Sequence, residues 1–203
     1  MKALYVTDRA AVGAERLRSV LQALAGAPGL AVQLREKDAS DREILELARR
    51  CRDWLGPGVP LSVNRRFDIA LAAGADGVQL PADGLPLRRV RSATPRGFRI
   101  GVSTHSADEA RAAIEDGADV VLIGPIFDTP SKRAYGAPLG PAVLADLPPA
   151  AAHATAVYAI GGVDEKNLEA LAPHRDRIAG IAAVRLFQDA ADPRAVFERI
   201  AAS

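Results

Sequence analysis

The feature that most constrains this chain is a regular alternation between short apolar segments and amphipathic segments. The apolar segments are rich in β-branched residues and almost continuously hydrophobic, which is typical of parallel strands buried on both faces. Eight such segments occur: LYVTD (4–8), LAVQLRE (30–36), PLSVN (60–64), DGVQLP (76–81), FRIGVSTH (98–105), ADVVLIGPIF (118–127), TAVYAIGG (155–162) and IAGIAAVRLF (178–187). Segments with helical spacing separate them, as parallel neighbours require. Among these predicted helices, one starts near Pro141 and one is DEKNLEALAP (164–173).

Eight strand–helix units predict an α/β protein, a single (β/α)8 TIM barrel over residues 1–203, with the active site at the C-terminal ends of the strands. A doubly wound open sheet is the alternative. A weak internal repeat supports regular units, because LAAGADGVQL (71–80) is similar to IEDGADVVLI (114–123). The glycine in each copy permits a left-handed turn between helix and strand.

Composition and net charge limit the kinds of molecule that we expect this protein to bind. The net charge is +1 over 203 residues, so no global basic field favours nucleic acid or a membrane surface. No apolar run approaches the length of a membrane span, and we expect a cytoplasmic protein without nucleic-acid or membrane partners. The lone cysteine, Cys51, forms no disulfide framework, and we expect it to be a small buried apolar residue. The sequence leaves a homo-oligomer open.

The predicted strands end in unusually polar residues, and in a barrel these ends share one mouth. They are Gln33, Arg35 and Lys37 after strand two, Asn64, Arg65 and Arg66 after strand three, Ser103 and His105 at strand five, and Val184 and Arg185 at strand eight. The mouth is therefore cationic although the chain is nearly neutral. This pattern predicts an anionic, phosphorylated ligand.

Two glycines after strand seven strengthen that prediction. Gly161 and Gly162 allow backbone N–H groups to approach an anion closely, and barrels often bind phosphate after strands seven and eight. Arg185 adds a forked donor. A plain turn is the alternative interpretation of the glycine pair.

The segment 128–140 and His105 carry further candidates. Thr129, Ser131 and Lys132 offer two hydroxyls and an ammonium group on the longest loop, which is either a lid or a plain surface loop. His105 stands at a strand end and suits proton transfer near neutral pH. A structural histidine bonded to the backbone is the alternative for His105.

Six stretches form a recognisable series along the chain: QLREK (33–37), VN (63–64), GADGVQLP (74–81), GVSTHS (101–106), GADVVLIGPIFDTPSK (117–132) and AIGGV (159–163). In this order they resemble the thiamine phosphate synthase/thiazole tautomerase (TenI-like) superfamily. The synthases join a hydroxymethylpyrimidine diphosphate to a thiazole phosphate in a Mg²⁺-dependent reaction that releases pyrophosphate. The resemblance implies that Gln33, Arg35, Lys37 and Asn64 meet the pyrimidine and diphosphate. It further implies that the thiazole phosphate meets Thr129, Ser131, Gly161 and Gly162, with Lys132 and Ser103 also matched.

Two departures from the synthase pattern concern magnesium. Arg65 stands where synthases carry a magnesium-binding Asp, and Gly84 stands at a second carboxylate position, with Asp83 one residue early. A guanidinium group cannot ligate Mg²⁺ and repels it. The stretch QLP (79–81) resembles instead the tautomerase branch, which shifts a proton without a metal. Pro125, however, replaces the histidine expected after the strand-six glycine of a tautomerase.

The leading prediction is therefore a thiazole tautomerase that binds a phosphorylated thiazole and needs no cofactor, with His105 or Lys132 as proton carrier and Arg65 or Arg66 on a substrate carboxylate. The alternative is a thiamine phosphate synthase with altered Mg²⁺ ligation. A non-catalytic phosphate-ligand sensor on the same barrel is a second alternative. Because side chains alternate along a strand, Arg65 and Arg66 should not both point into the mouth, and an ion pair between Arg66 and Asp68 is one alternative for Arg66.

Overall fold

A computed structural model gives the structure of residues 1–129 and 136–202. Its strands form a closed parallel barrel in chain order. They are β1 (Lys2–Val6), β2 (Leu30–Leu34), β3 (Leu61–Asn64), β4 (Gly77–Leu80), β5 (Arg99–Thr104), β6 (Val120–Ile123), β7 (Ala156–Ile160) and β8 (Gly180–Ala183). The barrel closes between β1 and β8, where Tyr5 lies opposite Ala183. The predicted (β/α)8 barrel is confirmed, and the open sheet is excluded.

Helices cover the outside of the barrel. They are α1 (Arg9–Val12), α2 (Ala14–Ala23), α3 (Asp41–Leu55), α4 (Phe67–Ala72), α5 (Leu87–Ala93), α6 (Ala107–Glu115), α7 (Arg185–Gln188) and α8 (Pro193–Ala202). The start of α3 follows directly from the sequence, because Ser40 and Glu43 form a reciprocal capping box. Cys51 is fully buried on α3, as predicted. No helix within residues 1–129 and 136–202 is long and apolar enough to cross a membrane.

The prediction was wrong in two places on the C-terminal half. The helix predicted near Pro141 and the helix predicted over 164–173 are 3₁₀ helices at Pro141–Asp146 and Leu168–His174. Pro148 and Pro149 follow the first of these helices closely and Pro173 lies inside the second, and a residue without a backbone N–H cannot extend a helical hydrogen-bond ladder. Strand eight also ends earlier than predicted. Val184 caps α7 and Arg185 begins it, so neither residue belongs to the strand.

The repeated Gly-Ala-Asp segments have the same local structure. Gly74 and Gly117 adopt left-handed φ angles of 68° and 81°, as predicted. The aspartates of these segments, Asp76 and Asp119, each accept a hydrogen bond at 2.7 Å from a backbone N–H near the start of the preceding strand. The donor to Asp76 is Leu61, the first residue of β3, and the donor to Asp119 is Ile100, the second residue of β5. Each aspartate thereby links the start of the strand that follows it to the start of the strand before it, at the end of the barrel opposite the mouth.

Candidate active site

The C-terminal ends of β2, β3 and β5 bring most of the predicted polar residues to one mouth. An inner cavity of about 160 Å³ and an outer cavity of about 570 Å³ share five lining residues, Arg35, Asn64, Ser103, His105 and Pro125. Gln33, Thr129 and Gly161 line only the inner cavity, whereas Lys37, Arg65 and Asp83 line only the outer one. The two cavities therefore form one continuous site with a deep amide-rich part and a shallow cationic part.

The floor of the inner cavity carries a pair of buried amides. The Gln33 Nε2 donates to Asn64 Oδ1 at 3.2 Å, across the neighbouring strands β2 and β3. Gln33 is only 2% exposed, yet its Oε1 has no hydrogen-bond partner among the described residues. A buried unpaired carbonyl costs free energy until a donor reaches it. The free oxygen therefore marks a place where a ligand N–H or amino group would be stabilised.

A hydrogen bond from a second buried amide, Gln79, fixes the Ser103 hydroxyl. The Gln79 Nε2 donates to Ser103 Oγ at 3.1 Å, and Gln79 is buried. Gly101 makes room for it, since a Cβ atom at Gly101 would lie 2.0 Å from Gln79 Oε1. Gln79 was not predicted as a site residue. Its QLP context carried a family resemblance and no indication of this support for Ser103.

Arg35 is held by a buried network that sequence reasoning missed. Its backbone N–H donates to Thr7 Oγ1 at 3.0 Å, and Thr7 donates in turn to Glu36 Oε1 at 2.5 Å. Glu36 Oε2 accepts from the Arg9 N–H at 2.8 Å. Burial raises the pKa of the Glu36 carboxyl above its usual value, although the hydrogen bonds from Thr7 and Arg9 act in the opposite direction. Strand alternation between Arg35, Glu36 and Lys37 was the one available signal that Glu36 faces away from the mouth.

The two arginines after β3 have different environments. Arg66 forms ion pairs with Asp68 and Asp41, which confirms the surface pairing considered for it. The hydrogen bond from Arg66 lowers the pKa of Asp68. Arg65 instead lines the outer cavity and lies 4.0 Å from Asp83 Oδ1. Asp83 is 84% exposed, so this contact is weak.

His105 also reaches both cavities. Its side chain is half exposed, and Nδ1 lies 3.7 Å from Glu109 Oε2 one helical turn later. The His105 backbone N–H donates to the same carboxylate at 2.6 Å. Glu109 is thus placed to orient the imidazole at the mouth.

The turn after β7, on the far side of the mouth, presents the backbone N–H groups of two glycines. Gly161 and Gly162 have φ angles of 96° and 67°. A Cβ at Gly161 would lie 2.6 Å from Pro125 Cα, and one at Gly162 would lie 2.5 Å from the Asp128 carbonyl oxygen. Both positions therefore require glycine for conformation and for close packing against the segment after β6. Neither N–H has an acceptor within the part of the chain that the structure describes.

Val184 and Arg185 follow β8, the strand that pairs with β7. Arg185 is exposed at the start of α7. Thr129 lines the inner cavity. Ser131 and Lys132 lie outside the described residues. The roles predicted for these residues remain predictions.

The site does not fit the magnesium ion that the family resemblance implies. Across residues 1–129 and 136–202, no three His, Cys, Asp or Glu side chains come together as metal ligands. Asp83 is the only carboxylate among the described lining residues of the outer cavity, and Arg65 lies beside it. Magnesium prefers several oxygen ligands, which this set does not supply.

Comparison with known proteins agrees with this architecture. Residues 3–187 match the family model described as thiamine monophosphate synthase. A protein named putative thiamine-phosphate synthase from Geobacter sulfurreducens is 42% identical over 88% of this chain and 84% of its own. The thiamine-phosphate synthase of Methanoculleus marisnigri is 38% identical over 98% of this chain and 96% of its own.

A solved structure extends the match to three dimensions. The thiamine phosphate pyrophosphorylase from Pyrococcus furiosus superposes with a TM-score of 0.81 and 29% identity, over 99% of this chain and 94% of that one. These names confirm the prediction of an enzyme and favour the synthase alternative over the tautomerase prediction. The chain belongs to the thiamine monophosphate synthase family, and thus to the thiamine phosphate synthase/TenI superfamily that its motifs resemble.

Proposed function

We propose that this protein joins a pyrimidine diphosphate to a thiazole phosphate and releases pyrophosphate, the reaction of a thiamine-phosphate synthase. The observation that carries the proposal is the match to relatives named for this activity over most of both chains. The clustering of Gln33, Asn64, Arg35 and Lys37 at one mouth supports it.

The amide pair suits the pyrimidine. An aminopyrimidine ring presents an N–H donor and ring-nitrogen acceptors along one edge. The unpaired Gln33 Oε1 supplies an acceptor, and the Asn64 amide nitrogen supplies a donor beside it. Desolvation in the inner cavity strengthens both interactions. The ring therefore docks with its polar edge on β2 and β3.

The cationic outer cavity suits the diphosphate. In the reaction the bond between the pyrimidine methylene carbon and the diphosphate oxygen breaks, and its electron pair leaves with the oxygen. The thiazole nitrogen forms the new bond to the carbon. Arg35 and Lys37, beside Asn64, stabilise the negative charge that grows on the leaving oxygen. The thiazole phosphate is held across the mouth by the backbone N–H groups of Gly161 and Gly162, with Val184, Arg185 and Thr129 around it. The parts that the family resemblance implies for Ser131 and Lys132 remain predictions.

The test is a direct assay of product. The purified protein is incubated with hydroxymethylpyrimidine diphosphate and the thiazole phosphate, and thiamine phosphate is measured by mass spectrometry. Asn64→Ala should lower kcat/KM by about 10- to 100-fold, because one buried hydrogen-bond pair is lost. Gln22→Ala, on the exposed surface of α2, is the matched control. No thiamine phosphate from the wild-type protein under any condition would overturn the proposal.

One observation favours a second candidate, the thiazole tautomerase. The guanidinium group of Arg65 occupies the mouth where the synthases carry a metal-binding carboxylate, and it would pair well with a substrate carboxylate. His105, oriented by Glu109, would then carry the proton. The parallel assay follows conversion between the two thiazole carboxylate tautomers in EDTA. Turnover that persists in His105→Ala would remove this role from His105.

A further inference from the structure

We propose that Arg65, with Arg35 and Lys37, forms an oxyanion site that binds the substrate diphosphate without a divalent metal. The proposal rests on the proposed function, because the diphosphate is the leaving group of that reaction. Three observations carry it: the backbone of Arg65, the surroundings of its guanidinium group, and the geometry at Gly84.

The backbone places Arg65 in a conformation that arginine normally avoids. Its φ angle is 65°, and it is the one non-glycine residue with a positive φ within residues 1–129 and 136–202. The Arg66 N–H donates to the Asn64 carbonyl at 2.8 Å and closes a three-residue turn around Arg65. Such a γ-turn is rare and strained. The Arg65 N–H donates to Gln79 O at 2.8 Å, and this contact with β4 holds the turn.

Strain of this kind persists where the surrounding structure holds it, and it concentrates at functional sites. A glycine would occupy this turn without strain. The turn therefore carries a bulky cation at a position where backbone conformation alone favours glycine. The position therefore differs from an ordinary glycine turn by the cationic side chain of Arg65.

The guanidinium group of Arg65 is available to a ligand. It is 60% exposed, and within the described residues its one acidic neighbour, Asp83, is 4.0 Å away. Arg66 differs, because Asp41 and Asp68 both hold it outside the cavities. In the described part of the chain, neither Arg35 nor Lys37 has an acidic partner within 4.0 Å. Three cations without strong partners thus face one cavity, next to a single exposed carboxylate.

The geometry at Gly84 disfavours a second carboxylate that would complete a metal site. A Cβ atom at Gly84 would lie 2.8 Å from Pro81 Cδ and 3.0 Å from Pro81 O, so a side chain there requires the loop to shift. A diphosphate in this mouth therefore meets guanidinium and ammonium donors. Forked N–H donors match phosphate oxygens and neutralise their charge directly.

Calorimetric titration with inorganic pyrophosphate tests the proposal. We expect saturable binding in EDTA that is at least as tight as binding in excess Mg²⁺, because magnesium competes for the same phosphate oxygens. Binding that occurs only with Mg²⁺ would overturn the oxyanion site. This readout requires no turnover, so it is independent of the condensation assay.

Three variants assign the binding to Arg65. Arg65→Gly should weaken pyrophosphate binding about 10- to 100-fold in EDTA, and it should not lower the melting temperature, because glycine suits the turn. Arg65→Lys should give an intermediate affinity, since lysine retains the charge and loses the fork. Arg66→Ala removes an equal charge from the next residue and should leave the affinity within about twofold. Equal losses in Arg65→Gly and Arg66→Ala would contradict a specific site.

The two proposals fail separately. Tight pyrophosphate binding in EDTA with no thiamine phosphate formed would support the oxyanion site and overturn the proposed reaction. Thiamine phosphate formation with pyrophosphate binding confined to Mg²⁺ would support the reaction and overturn the oxyanion site.

Discussion

Arg65 and Arg66 are adjacent and have the same side chain, yet their environments differ. Arg66 caps α4 and forms ion pairs with two aspartates, whereas Arg65 is held in a strained turn at the mouth. Strand alternation predicted that the two would diverge, and Asp68 indicated which of them would pair. The positive φ of Arg65 was beyond sequence reasoning. It depends on a hydrogen bond to Gln79 O, which exists only once β3 and β4 are paired.

Glu36 illustrates how a buried acid supports a site it does not enter. Its carboxylate is almost fully buried, and through Thr7 it fixes the backbone of Arg35. The sequence predicted Arg35 and Lys37 at the mouth because they are polar residues at the end of strand two. It could not predict the role of Glu36, since Thr7 and Arg9 belong to the neighbouring unit of the barrel.

The raised pKa of Glu36 gives a pH-dependent contribution to stability. Because the folded-state pKa lies above the ordinary value of 4.5, the folded protein retains this proton at a pH where the unfolded chain has lost it. The contribution is fully present below the unfolded pKa and is lost as pH rises through the folded one. Relative to Glu36→Gln, the wild-type protein should therefore lose free energy of unfolding between pH 4 and pH 7. Urea unfolding at both pH values measures this difference.

The control for this experiment is Glu46→Gln, which removes one negative charge from the exposed face of α3. A wild-type advantage over Glu36→Gln that grows as pH rises would show that the hydrogen bonds from Thr7 and Arg9 outweigh the cost of burial.

At the scale of elements, the repeated Gly-Ala-Asp segment is a joint between successive strand–helix units. Asp76 bonds the Leu61 N–H and pairs with Arg52 of α3, and Asp119 bonds the Ile100 N–H and pairs with Arg91 of α5. The sequence repeat predicted the turn correctly, since glycine is a local signal. The aspartate contacts bridge units and were not predicted.

Removing either aspartate should destabilise the barrel. Asp76→Ala and Asp119→Ala each leave a strand N–H without its acceptor, and we expect each to lower the free energy of unfolding by about 1–3 kcal/mol. Asp→Asn at the same positions retains an acceptor oxygen and should lose less. Urea unfolding of the four variants measures these losses. A cost confined to one of the two positions would contradict a shared structural role.

The 3₁₀ crossovers show the limit of prediction at this scale. Apolar spacing correctly indicated a covering element near Pro141 and over 164–173, but both elements are short 3₁₀ helices instead of α-helices. The site was little affected by this error. Strand order and strand ends place the mouth, and the covering elements decide only how β6, β7 and β8 are shielded from solvent.

At the scale of the molecule, barrel closure converts residues spread along the chain into one site. Gln33 and Gly161 are far apart in sequence and line the same inner cavity because each lies at a strand end. This convergence is why residues chosen for their polarity at strand ends line the same pair of cavities. The sequence could not predict which side chains form hydrogen bonds or ion pairs with each other, because these contacts depend on tertiary packing.

A closed barrel over the whole chain should also unfold as one cooperative unit, and Cys51 reports on this. The thiol is fully buried on α3, and burial raises its pKa to about 12, so it is inert in the folded protein. Trp54, the single tryptophan, lies on the same helix. In urea, pulsed labelling of Cys51, Trp54 fluorescence and far-UV circular dichroism should therefore share one midpoint. If labelling and fluorescence instead changed at lower urea than the circular dichroism, α3 would open as a separate unit and the single-domain prediction would be wrong.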